Sequence, residues 1–170
     1  MLSKEVLTEA FSRIRGVVHS AVEGASLEML TFRADRESNS IAWLIWHLAR
    51  TQDDHIADLM GQAQVWTADG WAERFDLPFH PGATGYGQSA EDVARVRVDA
   101  ELLGLYYDAV HARTLEYLKT LEDADFVKVV DTSWDPPVTL AVRLVSILSD
   151  DLQHAGQASY VRGLAGRKGL

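Results

Sequence analysis

Histidine is the residue type in this chain best suited to binding a metal ion. The sequence contains six histidines and no cysteines. The lack of cysteine excludes disulfides, thiolate metal sites and a cysteine nucleophile. A bound metal would therefore depend on histidine, carboxylate and water, a ligand set more typical of catalytic or exchangeable sites than of structural zinc.

His47 stands out because the sequence around it is apolar. Apart from His47 itself, all the residues from 41 to 49 are hydrophobic. A helix that is apolar all round is buried, and a buried imidazole without a partner costs roughly a few kcal/mol. Two interpretations are open at this point: a neutral core histidine satisfied by one hydrogen bond, or a metal ligand.

Asp150 and His154 are four residues apart, a spacing that places two side chains on one face of a helix. The spacing alone is weak support, since 25 acids among 170 residues predict about two such histidine–acid pairs by chance. The pair also belongs to a polar sector that includes Arg143, Ser146 and Gln157. From the residues alone, a solvent-exposed helix face is the favoured interpretation of that sector.

Three further histidines have simpler interpretations. His19 with Glu23 and His111 with Asp108 are predicted to be surface pairs. His55 belongs to the polar end of the helix that carries the apolar 41–49 run.

The elements that position these residues are predicted to be helices. Hydrophobic periodicity predicts four of them, over about residues 3–25, 41–60, 89–121 and 139–163. Ser38, Asn39 or Ser40 is placed to cap the second helix, and Gly61 to end it. We expect residues 1–170 to form one all-α domain, a single four-helix bundle with long connections between helices 2 and 3 and between helices 3 and 4.

The connection at residues 62–88 is unusual in length and composition. Its glycines and prolines exclude a continuous helix, yet it also carries Trp66, Trp71, Phe75 and Phe79. Long loops in compact domains are commonly functional. It is equally well interpreted as a lid over a pocket or as a cover for one end of the bundle. In the connection before the fourth helix, the sequence FVKVV favours a short extended piece.

The charge and hydropathy of the chain argue against several function classes. The net charge is −9 and no basic run is present, so nucleic acid and anionic membranes are poor partners. No stretch of about 20 apolar residues could span a bilayer, and the N-terminal sequence lacks the pattern of a signal peptide. We expect a cytoplasmic protein.

Two segments, SIAWLIWHLARTQDDHI and TLAVRLVSILSDDLQHAGQASYVRG, together resemble the DinB-like superfamily. The likeness is greatest to the branch that shares a fold with mycothiol-dependent maleylpyruvate isomerases. It covers nearly the whole chain, including the W-x-x-P-x-T sequence before the fourth helix. The specific part is W-H-L in helix 2 combined with D-x-x-x-H-A-G-Q in helix 4.

This resemblance implies a divalent metal held between helices 2 and 4 by His47, Asp150 and His154. Relatives usually carry His or Glu at the position of Asp150, and some carry a further histidine at that of Ser146. Zinc is the usual ion, and nickel or iron would fit the same ligands. The habits of relatives also imply a homodimer.

Three functions are compatible with such a site. The first is a transferase or isomerase whose metal activates a small thiol of the mycothiol or bacillithiol type, with Trp43 and Trp46 walling a pocket for the second substrate. The second is a metal-dependent hydrolase, with Asp54 as a base. The third is a non-enzymatic dimeric bundle. In either enzyme, Gln157 is a candidate to orient a metal ligand.

Overall fold

A computed structural model describes residues 3–170 of the chain, which are mostly helical. The helices, labelled in chain order, are α1 (Ser3–Val22), α2 (Leu27–Thr31), α3 (Ile41–Met60), α4 (Val65–Ala68), α5 (Trp71–Phe75), α6 (Ala90–Arg95), α7 (Ala100–Thr120) and α8 (Leu140–Arg167). Two short strands, β1 (Val129–Asp131) and β2 (Val138–Thr139), form an antiparallel hairpin. The prediction of an all-α fold class is confirmed, and so is the extended piece before the last helix.

The boundaries of α3 follow from its terminal residues, as the sequence predicted. The Ser40 hydroxyl accepts a hydrogen bond from the Trp43 backbone N–H at 3.2 Å, which satisfies one of the free donors at the helix start. Gly61 ends the helix in the left-handed conformation, with φ of 61°. That conformation carries no steric penalty for glycine.

The third predicted helix is divided in two, which corrects the expectation of a continuous helix over 89–121. α6 ends at Arg95, and Val96 is extended. Asp99 then starts α7 by accepting a hydrogen bond from the Leu102 backbone N–H at 2.8 Å. Aspartate favours a helix start over a helix interior because its carboxylate bonds the local backbone. This competition explains the break.

The four long helices pack in adjacent pairs. α3 packs against α7 and α8, and α1 packs against the same two helices. α1 and α3 therefore lie diagonally across the group, as do α7 and α8. The core between them includes Phe11, Trp46, Tyr106 and Tyr107, all essentially inaccessible to solvent. Within residues 3–170, no helix is both long and apolar enough to cross a membrane.

The 62–88 segment folds down onto the helices. The segment contains two short helices, α4 and α5, which lie between its glycines. This agrees with the composition, which excluded one continuous helix. Trp66, Trp71 and Phe75 are buried in the same core as α3. The segment therefore forms part of the core instead of standing away from it.

A buried carboxylate on α3 fixes the start of this segment. Asp53 accepts hydrogen bonds from the backbone N–H groups of Val65 and Trp66 at 2.9 and 2.8 Å. It also accepts one from the Tyr106 hydroxyl at 3.0 Å. Burial raises the pKa of the Asp53 carboxyl, although these bonds favour its charged form.

A buried guanidinium one turn earlier fixes the end of the segment. Arg50 is fully buried, and its Nε donates to the Ala83 carbonyl at 3.1 Å. Its Nη1 lies 3.5 Å from the Asp53 carboxylate, and its guanidinium lies over the Trp66 ring. Arg50 and Asp53 together attach both ends of the segment to α3.

Candidate metal centre

His47, Asp150 and His154 lie together between α3 and α8. Each offers one ligand atom, and these atoms all lie within 4.8 Å of one another. His47 is buried, and the other two residues are half-buried. The structure thus brings the buried α3 histidine to the i, i+4 pair of α8, the juxtaposition that a shared ion requires.

The orientation of His47 is fixed by the 62–88 segment. Its Nδ1 lies 2.6 Å from the Thr84 carbonyl oxygen. Because a carbonyl only accepts, Nδ1 must carry the proton, which leaves Nε2 unprotonated in the neutral ring. A hydrogen bond of this kind sets the tautomer and ring orientation of metal-ligating histidines.

Gly85 allows that hydrogen bond to form. A Cβ atom at this position would lie 2.7 Å from His47 Nδ1 and 3.2 Å from the nearest atoms of Trp43 and Trp46. The backbone of Gly85 also has φ of 97°, which side chains disfavour. Only glycine therefore lets the backbone lie directly against the imidazole. The Trp43 ring stacks on His47 at 4.6 Å and covers its face.

His154 has the same arrangement on the opposite helix. Its Nδ1 donates to the Asp150 backbone carbonyl at 2.8 Å, which again leaves Nε2 free. The two imidazole rings are 4.7 Å apart, nearly perpendicular to each other. The carboxylate oxygen Oδ2 of Asp150 is buried 3.4 Å from His154 Nδ1 and has no hydrogen-bond partner in the described part of the chain. The Asp150 carboxylate and the two imidazoles thus form a donor set suited to a divalent cation.

The surroundings of His47 and Asp150 favour the protonation states that bind a metal, a neutral imidazole and an ionised carboxylate. Burial lowers the pKa of His47 and keeps its ring neutral. Burial also acts to raise the pKa of Asp150, but the neighbouring His154 outweighs it and lowers that pKa overall. The pKa of His154 is raised because its contacts with Asp150 outweigh burial. A metal must therefore displace a proton from His154 at mildly acidic pH.

A cavity of about 330 Å³ opens onto His47 and Asp150. It is lined by His47, Thr51, Asp54, His55, Thr84, Tyr86 and Asp150. Thr51 and His55 follow His47 by four and eight residues, so all three share one face of α3. That spacing was visible in the sequence, but the polar surroundings of His55 indicated a solvated helix end.

Arg143 holds His55 in the wall of the cavity. Its Nδ1 lies 3.3 Å from an Nη atom of Arg143, whose other Nη atom contacts Asp131 of the hairpin at 2.9 Å. Burial lowers the pKa of His55, and the positive charge of Arg143 lowers it further. The cavity wall therefore holds a neutral imidazole near the ligand set.

The other predicted site residues lie at different distances from this centre. Trp43 contacts His47, whereas Trp46 is buried and lines a separate cavity of about 170 Å³. Asp54 lines the main cavity, and its carboxylate accepts a hydrogen bond from Gln64 at 2.6 Å. Two further candidates, Ser146 and Gln157, are exposed residues of α8 that do not line the cavity.

Two of the other histidines differ from expectation. His19 contacts Asp108 of α7 at 2.7 Å, so its predicted pairing with Glu23 is wrong. His111 is buried, so the predicted surface pair with Asp108 is wrong as well. For both histidines the nearest acid in the sequence, four residues from His19 and three residues from His111, suggested a pair within one helix. The real surroundings of both are set by the packing of α1 on α7.

Comparison with known proteins shows a family and a similar solved structure. A family model described as mycothiol-S-transferase matches residues 6–166. A crystal structure of a conserved protein from Enterococcus faecalis is 30% identical to this chain and superposes with a TM-score of 0.91. The match covers 97% of this chain and 98% of that one. No curated protein matches the chain.

Proposed function

Because this chain belongs to the mycothiol-S-transferase family, as its DinB-like resemblance led us to expect, we propose that it is a metal-dependent transferase or isomerase. Its cosubstrate would be a low-molecular-weight thiol of the mycothiol or bacillithiol type. The observation that carries the proposal is the shared ligand set of His47, Asp150 and His154. In both histidines a backbone carbonyl occupies Nδ1 and leaves Nε2 for an ion.

The ion would be zinc, with nickel or iron as alternatives that suit the same ligands. Three protein ligands leave a coordination position open, as catalytic sites require. When bound, the metal would stabilise the thiolate, the reactive form of the cosubstrate. This role fits a chain without cysteine, since the nucleophilic sulfur would then come from the cosubstrate.

The residues around the ligand set would bind and orient the substrates. The Thr84 carbonyl holds the His47 ring, and Trp43 covers one face of that ring from solvent. The cavity beside them, with Thr51 and His55 in its wall, provides space for the second substrate. The 62–88 segment thus acts as a fixed wall of the site.

A metal-dependent hydrolase is the second candidate. It is favoured by the position of Asp54, which lines the same cavity as His47 and Asp150. Asp54 would serve as the base. Its hydrogen bond from Gln64 would hold the carboxylate in place.

Metal analysis of protein purified without chelator tests the shared premise. We expect stoichiometric metal in the wild type and in a His80→Ala control, whose histidine is exposed in the 62–88 segment. We expect little metal in His154→Ala. Equal, near-zero metal in all three proteins would leave only a non-enzymatic dimeric bundle.

A panel of electrophiles, assayed with and without mycothiol or bacillithiol, separates the two enzymes. Turnover that requires the thiol supports the transferase or isomerase. Turnover at the same rate with and without the thiol supports the hydrolase. The single four-helix-bundle domain, the homodimer and the cytoplasmic location stay predictions.

A further inference from the structure

Three histidines lie at the candidate site, and their hydrogen bonds fix two different tautomers. In His47 and His154 a backbone carbonyl accepts from Nδ1, so Nε2 of each neutral ring keeps its lone pair. His55 has the opposite arrangement. Its Nδ1 lies 3.3 Å from Nη1 of Arg143, and a guanidinium only donates. The Nδ1 of His55 must therefore accept, which places the proton of its neutral ring on Nε2.

This tautomer excludes two roles for His55. Its Nε2 cannot bind a metal, because that atom carries the proton, and Arg143 occupies the lone pair of Nδ1. For the same reason no lone pair is free to accept a proton from a substrate. The ring still offers one N–H donor. Within residues 3–170, Nε2 of His55 has no hydrogen-bond partner.

Arg143 and its acidic partners hold this donor in place. The Arg143 side chain is only 13% exposed, and it contacts Asp131 at 2.9 Å and Asp58 at 3.3 Å. These contacts orient the guanidinium and, through it, the His55 ring. Burial and the positive charge of Arg143 lower the pKa of His55, although nearby carboxylates such as Asp54 act to raise it. The ring therefore stays neutral at physiological pH.

The free donor and the candidate ligands share one cavity. His47, Asp150 and His55 all line the space of about 330 Å³ described above. His55 follows His47 by eight residues, about 12 Å along α3. A molecule that reacts beside the ligand set therefore reaches His55 with an atom several bonds away from its reacting carbon.

We propose that His55 donates a hydrogen bond from Nε2 to an oxygen of the second substrate, and that this oxygen gains negative charge as the cosubstrate sulfur attacks. The inference rests on the proposed transferase or isomerase. It names the class of the second substrate, an electrophile whose acceptor oxygen is conjugated to the attacked carbon. An enone meets this requirement, because its oxygen lies three bonds from that carbon.

The addition of a thiol to an enone balances without a further reagent. The thiol releases its proton to solvent, and the sulfur electron pair forms a bond to the β-carbon. The π pair of the C=C bond moves to the next carbon–carbon bond, and the π pair of the C=O bond moves onto oxygen. His55 Nε2–H stabilises that charge. The α-carbon then takes a proton from solvent as the carbonyl reforms.

A fixed, neutral donor is suited to this task. Donors oriented in advance toward a developing negative charge stabilise the transition state, and loss of one such donor lowers kcat by about 100- to 1,000-fold. A neutral histidine can polarise a carbonyl in this manner. A benzyl halide provides the contrast, since its leaving halide takes the charge and no oxygen is present for His55.

Turnover of an enone and of a benzyl halide with mycothiol, by metal-loaded protein, tests the assignment. His55→Phe keeps a ring without the donor, so we expect kcat for the enone to fall by about 100-fold and KM to change by less than about threefold. Turnover of the halide should change by less than about threefold. His55→Gln, which keeps an N–H donor, should retain at least about a tenth of the enone turnover. His80→Phe, at an exposed histidine outside this cavity, is the matched control and should leave both unchanged.

The possible failures of this test are distinguishable. Equal losses on both substrates in His55→Phe, or a wild type that turns over only the halide, would overturn the role of His55 and leave the proposed function standing. A wild type that turns over neither substrate would overturn the proposed function and this inference with it. Metal content of His55→Phe, compared with the wild type, separates loss of the donor from loss of the fold.

Nitrogen-15 NMR of the imidazole rings in metal-free protein at pH 8 tests the tautomer without any assay of activity. We expect the proton of His55 on Nε2 and those of His47 and His154 on Nδ1. Arg143→Met removes the guanidinium and should let His55 populate both tautomers. A wild-type His55 ring protonated on Nδ1, or one that Arg143→Met leaves unchanged, would overturn the assignment.

Discussion

Asp150 and Asp151 are neighbours in the sequence, yet α8 directs them into opposite environments. Asp150 lies beside two imidazoles at the edge of a cavity, and its pKa is lowered because His154 outweighs the effect of burial. Asp151 is fully buried, and neither of its carboxylate oxygens has a hydrogen-bond partner within residues 3–170. Burial, with the nearby charge of Asp150, raises the pKa of Asp151 far above its usual range.

The difference between the two acids shows how a helix assigns chemistry to its faces. One residue corresponds to a rotation of about 100°, enough to move a carboxylate from a polar cavity into the core. On one face the charged form is stabilised by neighbouring cationic or polar groups. On the other face the Tyr107 hydroxyl of α7 interacts with Asp151, and among residues 3–170 this buried hydroxyl has no hydrogen-bond partner either. The neutral acid is therefore favoured there.

The same substitution at each acid should give the largest contrast. Asp150→Asn removes the anionic ligand, so we expect zinc affinity to fall by more than about 100-fold, beyond the range typical of changes around the ligands. Asp151→Asn should change zinc affinity by less than about threefold. Competition with a fluorescent chelator measures both values. Similar losses in the two variants would remove the functional distinction between the faces.

Substitutions of two glycines test how the backbone supports a ligand of the metal site without changing any ligand residue. Gly85→Ala places a Cβ atom against His47 Nδ1, so the Thr84 carbonyl must move and zinc affinity should fall by about 10- to 100-fold. Gly87→Ala is the control, because its φ of 72° is also unfavourable for a side chain but its Cβ meets nothing within 4 Å among the described residues. Zinc titration of both proteins checks the result. Equal affinities would show that His47 needs no support from the backbone.

Asp151→Asn should also change the pH dependence of stability. A carboxyl with a raised folded-state pKa favours folding below its unfolded value of about 3.9, and this contribution is lost as pH rises toward the folded pKa. At pH 8 the wild type therefore carries a penalty that asparagine lacks. We expect the variant to gain about 1–2 kcal/mol in free energy of unfolding at pH 8.

Urea unfolding of metal-free protein at pH 8 and at pH 4 measures this effect. The gain should shrink at pH 4, where the buried carboxyl is neutral in the folded wild type as well. A gain that is constant with pH would mean that Asp151 does not titrate differently in the folded and unfolded states. Asp150→Asn, measured in parallel, should show no gain at pH 8.

The smallest change in zinc affinity is expected for a substitution of His55. This variant tests whether His55 is only a residue of the cavity wall or also a metal ligand. His55→Gln keeps a polar side chain beside Arg143 and leaves the ligand set intact. We expect zinc affinity to change by less than about threefold. Isothermal titration checks this value, and a loss as large as that of Asp150→Asn would make His55 a fourth ligand.

Local signals in the sequence determined most of the helices and the candidate ligands. The cap candidates at 38–40 and Gly61 marked the ends of α3 because caps act through bonds to residues within one turn. The i, i+4 spacing of Asp150 and His154 placed them on one face for a similarly local reason. The break at Asp99 was missed because a capping aspartate competes with a hydrophobic stripe that continues across it.

Only the tertiary structure decided which of these residues meet. His47 and the Thr84 carbonyl are 37 residues apart, and the contact depends on how Arg50 and Asp53 fix the 62–88 segment. The sequence offered Glu23 as the partner of His19, and packing supplied Asp108. Such contacts depend on the relative rotation of whole helices, which hydrophobic burial over many residues sets together. The spacing of residues within one helix carries no information about the rotation of that helix relative to its neighbours.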